Sequence, residues 1–429
     1  MSYLWIYAGV FVLTLAGYVF HQRRRQASHA AELRQSVEAG LVEPPSLHPV
    51  IDPVRCLGSG SCARACPEEA LGVVGGKAVL KNASACIGHG ACAAACPFEA
   101  IQLVFGTENR GIDIPNLSPE FETDVPGIYI AGELGGMGLI RKAAEQGRQA
   151  VEAIRKRGRG DFENDLVIVG AGPAGLSAAL SATEHKLRHA IVEQEESLGG
   201  AVFHYPRHKV AMTAPVRLAL VGKVQFREVS KERLLEFWNG VVEKTGLRIR
   251  FRECMTGIER DGDGFVVQTD KARYRTRSVL LALGRRGTPR KLGVPGEESA
   301  KVVYRLVDAE QYRGQAVLVV GGGDSALEAA IALAEQQGTT VTLSYRSNAF
   351  SRVKQKNRDT LAAQQAAGRI EVLLESSAAA AAPAEVTLKT TGGTRTLRND
   401  AVIVCAGGQL PTPLLQRIDI GFETKFGTR

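Results

Sequence analysis

Eight cysteines occur in this chain of 429 residues, and six of them fall between positions 56 and 96. Cys56, Cys62, Cys66 and Pro67 recur thirty residues later as Cys86, Cys92, Cys96 and Pro97. Thiols in a short repeated pattern suit metal ligation, whereas a secreted disulfide framework belongs to a much shorter chain. At the place between the first two cysteines where a further ligand could stand, the halves carry Ser59 in CLGSGSCARACP and His89 in CIGHGACAAACP. Three thiolates per half leave a fourth ligand position open. His89 could fill one with an imidazole, and Ser59 is the poorer donor. Cys254 and Cys405 stand alone and read as small buried hydrophobes.

Two glycine-rich turns carry a second chemistry. In DLVIVGAGPAG (165–175) an apolar strand enters Gly170, Gly172 and Gly175, spaced G-x-G-x-x-G, with Pro173 and Ala174 opening a helix. Glycines there permit a tight turn and close backbone approach to a pyrophosphate. The helix N-terminus adds amide donors and a positive dipole. The next strand, AIVEQ, carries Glu193 twenty-three residues beyond Gly170, where a carboxylate suits a ribose 2′-OH. AVLVVGGGDSA (316–326) repeats the pattern with Gly321, Gly323 and Ala326, and with Asp324 and Ser325 in the same turn. Its following strand, TVTLSY, leads to Arg346, with Arg352 soon after. Arginine in that place suits a 2′-phosphate, so the second site is expected to take NADPH.

The elements around these motifs have ordinary globular composition, 45% apolar and 23% charged. The length suggests two to four domains. Net charge is +8, but apart from Arg23, Arg24 and Arg25 the basic residues are spread along the chain. That pattern is not a nucleic-acid footprint. Residues 3–20, YLWIYAGVFVLTLAGYVF, carry no charge, and about 20 apolar residues cross a bilayer. Tyr3, Trp5 and Tyr7 at one end, and Tyr18 at the other, suit the two interfaces; His21 to Arg25 suit the cytoplasmic side. A cleaved signal peptide would need a basic leading region and a small-residue cleavage site, and neither is present. The expectation is a single-pass anchor in the cell inner membrane, with the catalytic domains cytoplasmic. Residues 26–49, with Pro44 and Pro45, read as a short helix and linker.

The cysteine repeat resembles the two-cluster bacterial ferredoxin domain, whose run is C-x2-C-x2-C-x3-C-P and whose fourth cysteine ligates the other cluster. Carried over by position, the resemblance implies one site from Cys56, Cys62 and Cys96 and another from Cys66, Cys86 and Cys92. Both halves lack the run's second cysteine. The resemblance therefore implies [4Fe-4S] clusters, with His89 a candidate ligand, or [3Fe-4S] clusters held by three thiolates each.

Residues 165–429 resemble the pyridine nucleotide–disulfide oxidoreductases, in particular thioredoxin-reductase-like members of the bacillithiol-disulfide-reductase type. GAGPAG resembles the FAD loop, LALG (281–284, with Gly284) its second FAD strand, and GGGDSALEAA the NADPH loop. YPRHKVAMT (205–213) and LGRRGTPRKLGVPGE (283–297) carry the closer likeness, and Gly200 is expected at the FAD. Two departures stand out. The stretch VVYRLVDAEQYRG (302–314), where thioredoxin reductases carry C-x-x-C, has no cysteine. The family's closing segment appears near the front instead, as TDVPGIYIAGELGGMGLIRKAAEQGRQAVEAI (123–154), which implies a circular permutation. By position Gly132 and Glu133 then face the flavin.

The expected fold is α/β, with two Rossmann-like domains for FAD and NADPH, an N-terminal α+β ferredoxin-like domain and a single transmembrane helix. The expected boundaries are 1–21 anchor, 22–49 linker, 50–105 iron–sulfur domain, 106–286 FAD domain, 287–398 NADPH domain and 399–429 return segment. The implied function is electron movement between NADPH and iron–sulfur clusters through FAD, in either direction, with a redox protein or quinone as the further partner. The resemblance also implies a homodimer. A low-molecular-weight disulfide reductase and a non-enzymatic, membrane-tethered redox sensor are the alternatives. No catalytic acid or base is named, because hydride transfer needs none.

Overall fold

The computed structural model describes residues 2–38, 42, 44, 47–88, 90–108, 111–136, 138–207, 209–285, 288–350, 353–409 and 411–427. The chain divides into two compact units. One is Met1–Ile112 with Ala349–Asp359 and Lys425–Arg429; the other is Asp113–Asn348 with Thr360–Thr424.

In the first unit the two cysteine halves build a repeated architecture. Leu71–Val74 and Lys77–Leu80 form a hairpin across Gly75 and Gly76, both at positive φ, as the tightest hairpin turns require. His48–Ile51 pairs antiparallel with Ile101–Val104, so the start of the first half closes on the end of the second. Each half contributes one short helix, Ser61–Ala65 and Ala91–Ala94, carrying Cys62 and Cys92 on its buried side. The core of this unit consists of cysteines, Ala70, Leu71, Ala78 and Ala100. It is small because thiols occupy space that aliphatic side chains would fill elsewhere.

The N-terminal helix corrects one expectation. It runs unbroken from Ser2 to Glu38, and no helix among the described residues is long and apolar enough to cross a membrane. The uncharged run, residues 3–20, continues in the same helix into His21, Gln22 and three arginines. The later half belongs to the iron–sulfur unit instead. Val73 N–H donates to His29 Nδ1 at 3.1 Å, and Lys81 Nζ, on a side chain only 8% exposed, meets Glu32 at 2.5 Å. The single transmembrane helix, the membrane as partner and the single-pass inner-membrane placement therefore lose their basis.

The second unit is a mixed α/β structure built around two large sheets. In the first, the strands run in the order Ile249–Arg250, His189–Val192, Asn164–Val169, Arg273–Leu281, Gly264–Thr269 and Met255–Asp261. Asn164–Val169 is buried along its whole length, which is why its apolar run does not alternate. Ile128–Ile130 joins the same sheet, parallel to the end of Arg273–Leu281, with Ile130 opposite Leu281. The segment that precedes the glycine loop in sequence is thus built into the loop's own sheet. Its helix, Ile140–Lys156, crosses the helix Pro173–Glu184 so closely that a Cβ on Gly147 would lie 2.1 Å from the Ala174 carbonyl oxygen. The second sheet is parallel, in the order Val302–Val303, Ala401–Val404, Ala316–Val320, Thr340–Ser344 and Ile370–Leu373. Ala401–Val404, expected in the return segment, lies inside this sheet. The helix Thr412–Arg417 beyond it packs Leu415 into the core of the first sheet.

Candidate functional site

A cleft of about 520 Å³ opens at the C-terminal ends of the first sheet. Gly170, Gly172, Pro173 and Ala174 line it, together with Glu193, Gly200, Gly132, Glu133 and Gly284. Gly175 lies beneath, where a Cβ would sit 1.8 Å from the Gly170 carbonyl oxygen. The loop therefore closes on its own helix only because that position has no side chain. The helices Pro173–Glu184 and Ile140–Lys156 both begin at the cleft, with Gly172 and Leu139 as their N-caps. Two sets of unpaired amide donors thus face one cavity, which favours an anion such as a pyrophosphate. Gly132 N–H is held by Gln146 Oε1 at 2.8 Å, which fixes the turn that carries Glu133.

Glu193 is 6% exposed. Its carboxylate accepts from Ala171 N–H at 2.6 Å and from Glu195 N–H at 3.0 Å, so it braces the glycine loop as well as lining the cleft. Burial pushes its carboxyl pKa up, against the lowering effect of those backbone donors. Carboxylate oxygens have acceptor capacity beyond one bond each, which suits a ribose hydroxyl.

Several lining residues carry no motif in the sequence. Arg285 follows LALG directly and lines the cleft; burial pushes its guanidinium pKa down, while the charges of Glu133 and Asp113 oppose that. A charge placed at the end of a buried strand was the available signal. Cys254 is partly exposed and also lines the cleft, and Cys405 is only half-buried; neither is a fully buried hydrophobe. Arg417 arrives from the return segment. The stretch 204–209 ties the cleft to the second nucleotide-binding half. Arg207 pairs with Asp308 at 3.3 Å, Lys209 pairs with Glu328 at 2.9 Å, and His204 touches Arg305 while pairing with Glu195.

At the second glycine turn, Gly323 caps the helix Asp324–Ala334, with Ser325 exposed in its first turn and Ala326 buried. A Cβ on Gly321 would meet the Cys405 carbonyl oxygen at 2.4 Å. Arg346 is exposed just past the end of Thr340–Ser344. Arg352 lies outside the described residues.

The six clustered cysteines fall into two cavities of the first unit. One is lined by Cys66, Cys86 and Cys92, the other by Cys56, Cys62, Cys96 and Ser59. Among the described residues, no three His, Cys, Asp or Glu side chains close on a single metal ion. A cluster differs from an ion in holding its thiolates on separate irons, and each triplet surrounds a void. Ala78 N–H donates to Cys56 Sγ at 3.3 Å and Ala100 N–H to Cys96 Sγ at 3.4 Å, the bonds that stabilise charge on cluster sulfur. Burial pushes the Cys92 thiol up to about 11, with the neighbouring Cys86 and Cys66 adding to it. Loading must therefore expel protons from these thiols. His89 lies outside the described residues.

Residues 167–427 match the family described as pyridine nucleotide-disulphide oxidoreductase, and residues 48–97 match the 4Fe-4S dicluster domain. Among curated proteins, a ferredoxin–NADP reductase of Pediococcus pentosaceus is 34% identical over 194 residues, covering 43% of this chain and 55% of that protein. Bacilliredoxin reductase Bdr of Bacillus subtilis is 28% identical over 195 residues, covering 44% of this chain and 59% of its own length. The chain thus spans a little over half the length of these relatives. Among solved structures, bacillithiol disulfide reductase Bdr from Bacillus cereus superposes with a TM-score of 0.52 at 24% identity, covering 59% of this chain and 81% of that one. At that identity the likeness is one of fold.

Proposed function

The chain belongs to the pyridine nucleotide-disulphide oxidoreductase family, and from that premise we propose that it moves electrons between NADPH and iron–sulfur clusters in its own front domain, and on to a protein or quinone acceptor. Membership makes it an FAD-dependent NAD(P)H oxidoreductase, and the dicluster match at 48–97 adds 4Fe-4S clusters. The observation that carries the route is the joining of the two modules. The flavin-type sheet takes its strand Ile128–Ile130 from the segment that comes after the cysteine repeat in the chain. FAD, when bound, takes up a hydride's two electrons and releases them one at a time, which is what single-electron clusters require.

The chain's own residues bind and orient. Amides at the two helix N-termini hold the pyrophosphate of FAD, Glu193 accepts from its ribose, and Arg285 with Glu133 sets the charge at the flavin's edge. Gly321, Gly323, Asp324, Ser325 and Ala326 form the NADPH turn, and Arg346 with Arg352 reads its 2′-phosphate. Cys56, Cys62 and Cys96 hold one cluster, and Cys66, Cys86 and Cys92 the other.

Anaerobic electron paramagnetic resonance tests the route. A reduced-cluster signal is expected only after NADPH, and NADH should need at least about tenfold more nucleotide, given roughly 1.5–3 kcal/mol for a charge-assisted bond to the 2′-phosphate. Flavin bleaching with no cluster signal at any potential of the nucleotide would sink the proposal. That outcome would favour the second reading, a low-molecular-weight disulfide reductase, which the likeness to the bacillithiol enzymes supports and NADPH-driven disulfide turnover would reveal.

Glu193 gives a pH-dependent prediction. Its folded pKa is raised, so the stability it contributes is present below the unfolded pKa and lost as pH rises through the folded one. The ribose hydroxyl, by contrast, needs the ionised carboxylate as acceptor. FAD affinity of the apoprotein should therefore strengthen as pH rises through that raised pKa. Glu193→Gln should weaken binding about 10–100-fold, from the 1.5–3 kcal/mol of a bond to a charged group, and flatten the profile. Fluorescence titration of FAD into apoprotein from pH 4 to 8 reads both; an unchanged profile in the variant would remove Glu193 from the site.

A further inference from the structure

The two cysteine cavities are equivalent by repeat, and their walls differ in charge. Two residues past the last cysteine of each half, CPEEAL places Glu68 and CPFEAI places Phe98. Glu68 lines the cavity of Cys66, Cys86 and Cys92, while Phe98 lines that of Cys56, Cys62 and Cys96. On the other side, cations hold the loop. Lys77 Nζ donates to the Cys56 carbonyl oxygen at 2.6 Å, and Arg64 donates to the Ser59 carbonyl oxygen at 3.3 Å. The acid nearest that loop in sequence, Asp52, faces Arg55 at 4.0 Å and accepts from Val54 N–H at 2.8 Å.

From this asymmetry, and resting on the cluster reading above, we infer that Glu68 sets the two clusters apart in potential. The cluster at Cys66, Cys86 and Cys92 is the lower of the pair, and electrons pass from it to the one at Cys56, Cys62 and Cys96. Net charge and hydrogen bonds to sulfur set the reduction potential of such clusters. Adding an electron beside a carboxylate is disfavoured, and among the described residues no acid lines the cavity of Cys56, Cys62 and Cys96. The two thiolate triplets are alike in number, and Glu68 and Phe98 differ in charge at equivalent positions on their walls. Glu68 is a positioning charge here, acting on the cluster through space.

The test is a redox titration of the full, cluster-loaded chain followed by electron paramagnetic resonance. The wild type should show two separate midpoints. Glu68→Gln should raise only the lower one, by at least a tenfold change in the reduced-to-oxidised ratio at fixed potential, which is about 59 mV for one electron. Phe98→Glu should lower only the upper one. If Glu68→Gln leaves both midpoints in place, or moves the upper one, the inference is wrong. It is wrong too if the variant changes the iron count of its cluster, since Glu68 would then be a ligand. Iron and acid-labile sulfide analysis separates these results from failure of the cluster reading itself, which would show as a wild-type chain with neither.

Discussion

Gly175→Ala should yield a chain that no longer retains FAD yet keeps its iron and sulfide. The new Cβ would lie 1.8 Å from the Gly170 carbonyl oxygen and 3.4 Å from the Ala282 Cβ. The first contact is with backbone, in a loop proposed to bring amides to the pyrophosphate. No rotamer change relieves it. The loop must open away from the helix Pro173–Glu184, and Gly170 N–H then loses its bond to the Val192 carbonyl oxygen, 2.8 Å in the intact loop. Overpacking typically costs about 1–3 kcal/mol, and contact with backbone puts this case at the upper end, so FAD affinity should fall by about 100-fold. The cysteine cavities belong to the other compact unit, and their cluster signals should persist in chemically reduced protein. The measurements are flavin absorbance after gel filtration and iron per chain. A variant that purifies with wild-type flavin content would show that this loop is not where FAD binds.

How much of this is legible before folding depends on where each signal lives. The thiol repeat and the glycine turns are readable because their chemistry dictates residue types at short spacing, and short spacing survives any tertiary arrangement. The segment 123–154 is readable through its order of motifs, and its strand does enter the expected sheet, Ile130 opposite Leu281. The N-terminal helix misleads because the hydropathy of residues 3–20 says nothing of the rest of the helix. His29 and Glu32, farther along it, are claimed by Val73 and Lys81 of the cysteine unit. The run AVIVC at 401–405 is equally ambiguous: an apolar parallel strand reads the same whichever sheet it enters. Arg285 stays hidden because its role depends on Glu133, 152 residues earlier in the chain, and on a cleft that no local pattern encodes. Glu68 and Phe98 stand in plain view, but a repeat recognised by its cysteines draws no attention to the positions beside them. Their difference acquires meaning once each is found at the wall of a thiol-lined cavity.

Changing Cys62 and Cys92 together to serine should abolish cluster-dependent electron transfer while leaving flavin binding intact. Each substitution removes one thiolate from one triplet, and both side chains are buried at about the level of the surrounding core, 5% exposed in each case. Two thiolates per cavity then remain, against the three or four that cluster ligation uses. Serine is no substitute at neutral pH, since its hydroxyl keeps its proton and iron–sulfur clusters are held by thiolates. Iron per chain should fall at least about tenfold, because metal affinity of structural sites commonly accounts for about 10 kcal/mol and a lost ligand removes a large share of it. NADPH should still bleach the flavin, since every residue lining that cleft lies in the other unit. Reduction of a one-electron protein acceptor or a quinone should stop. The loss of metal will also loosen the small unit itself, whose core is largely those thiols, so Ser59→Cys provides the complementary variant. It supplies a fourth thiol to an intact cavity and should convert a three-iron signal there, where present, into a four-iron one without loss of fold. If acceptor reduction survives the double substitution at the wild-type rate, electrons leave the flavin by another path, and the cluster domain is not the conduit.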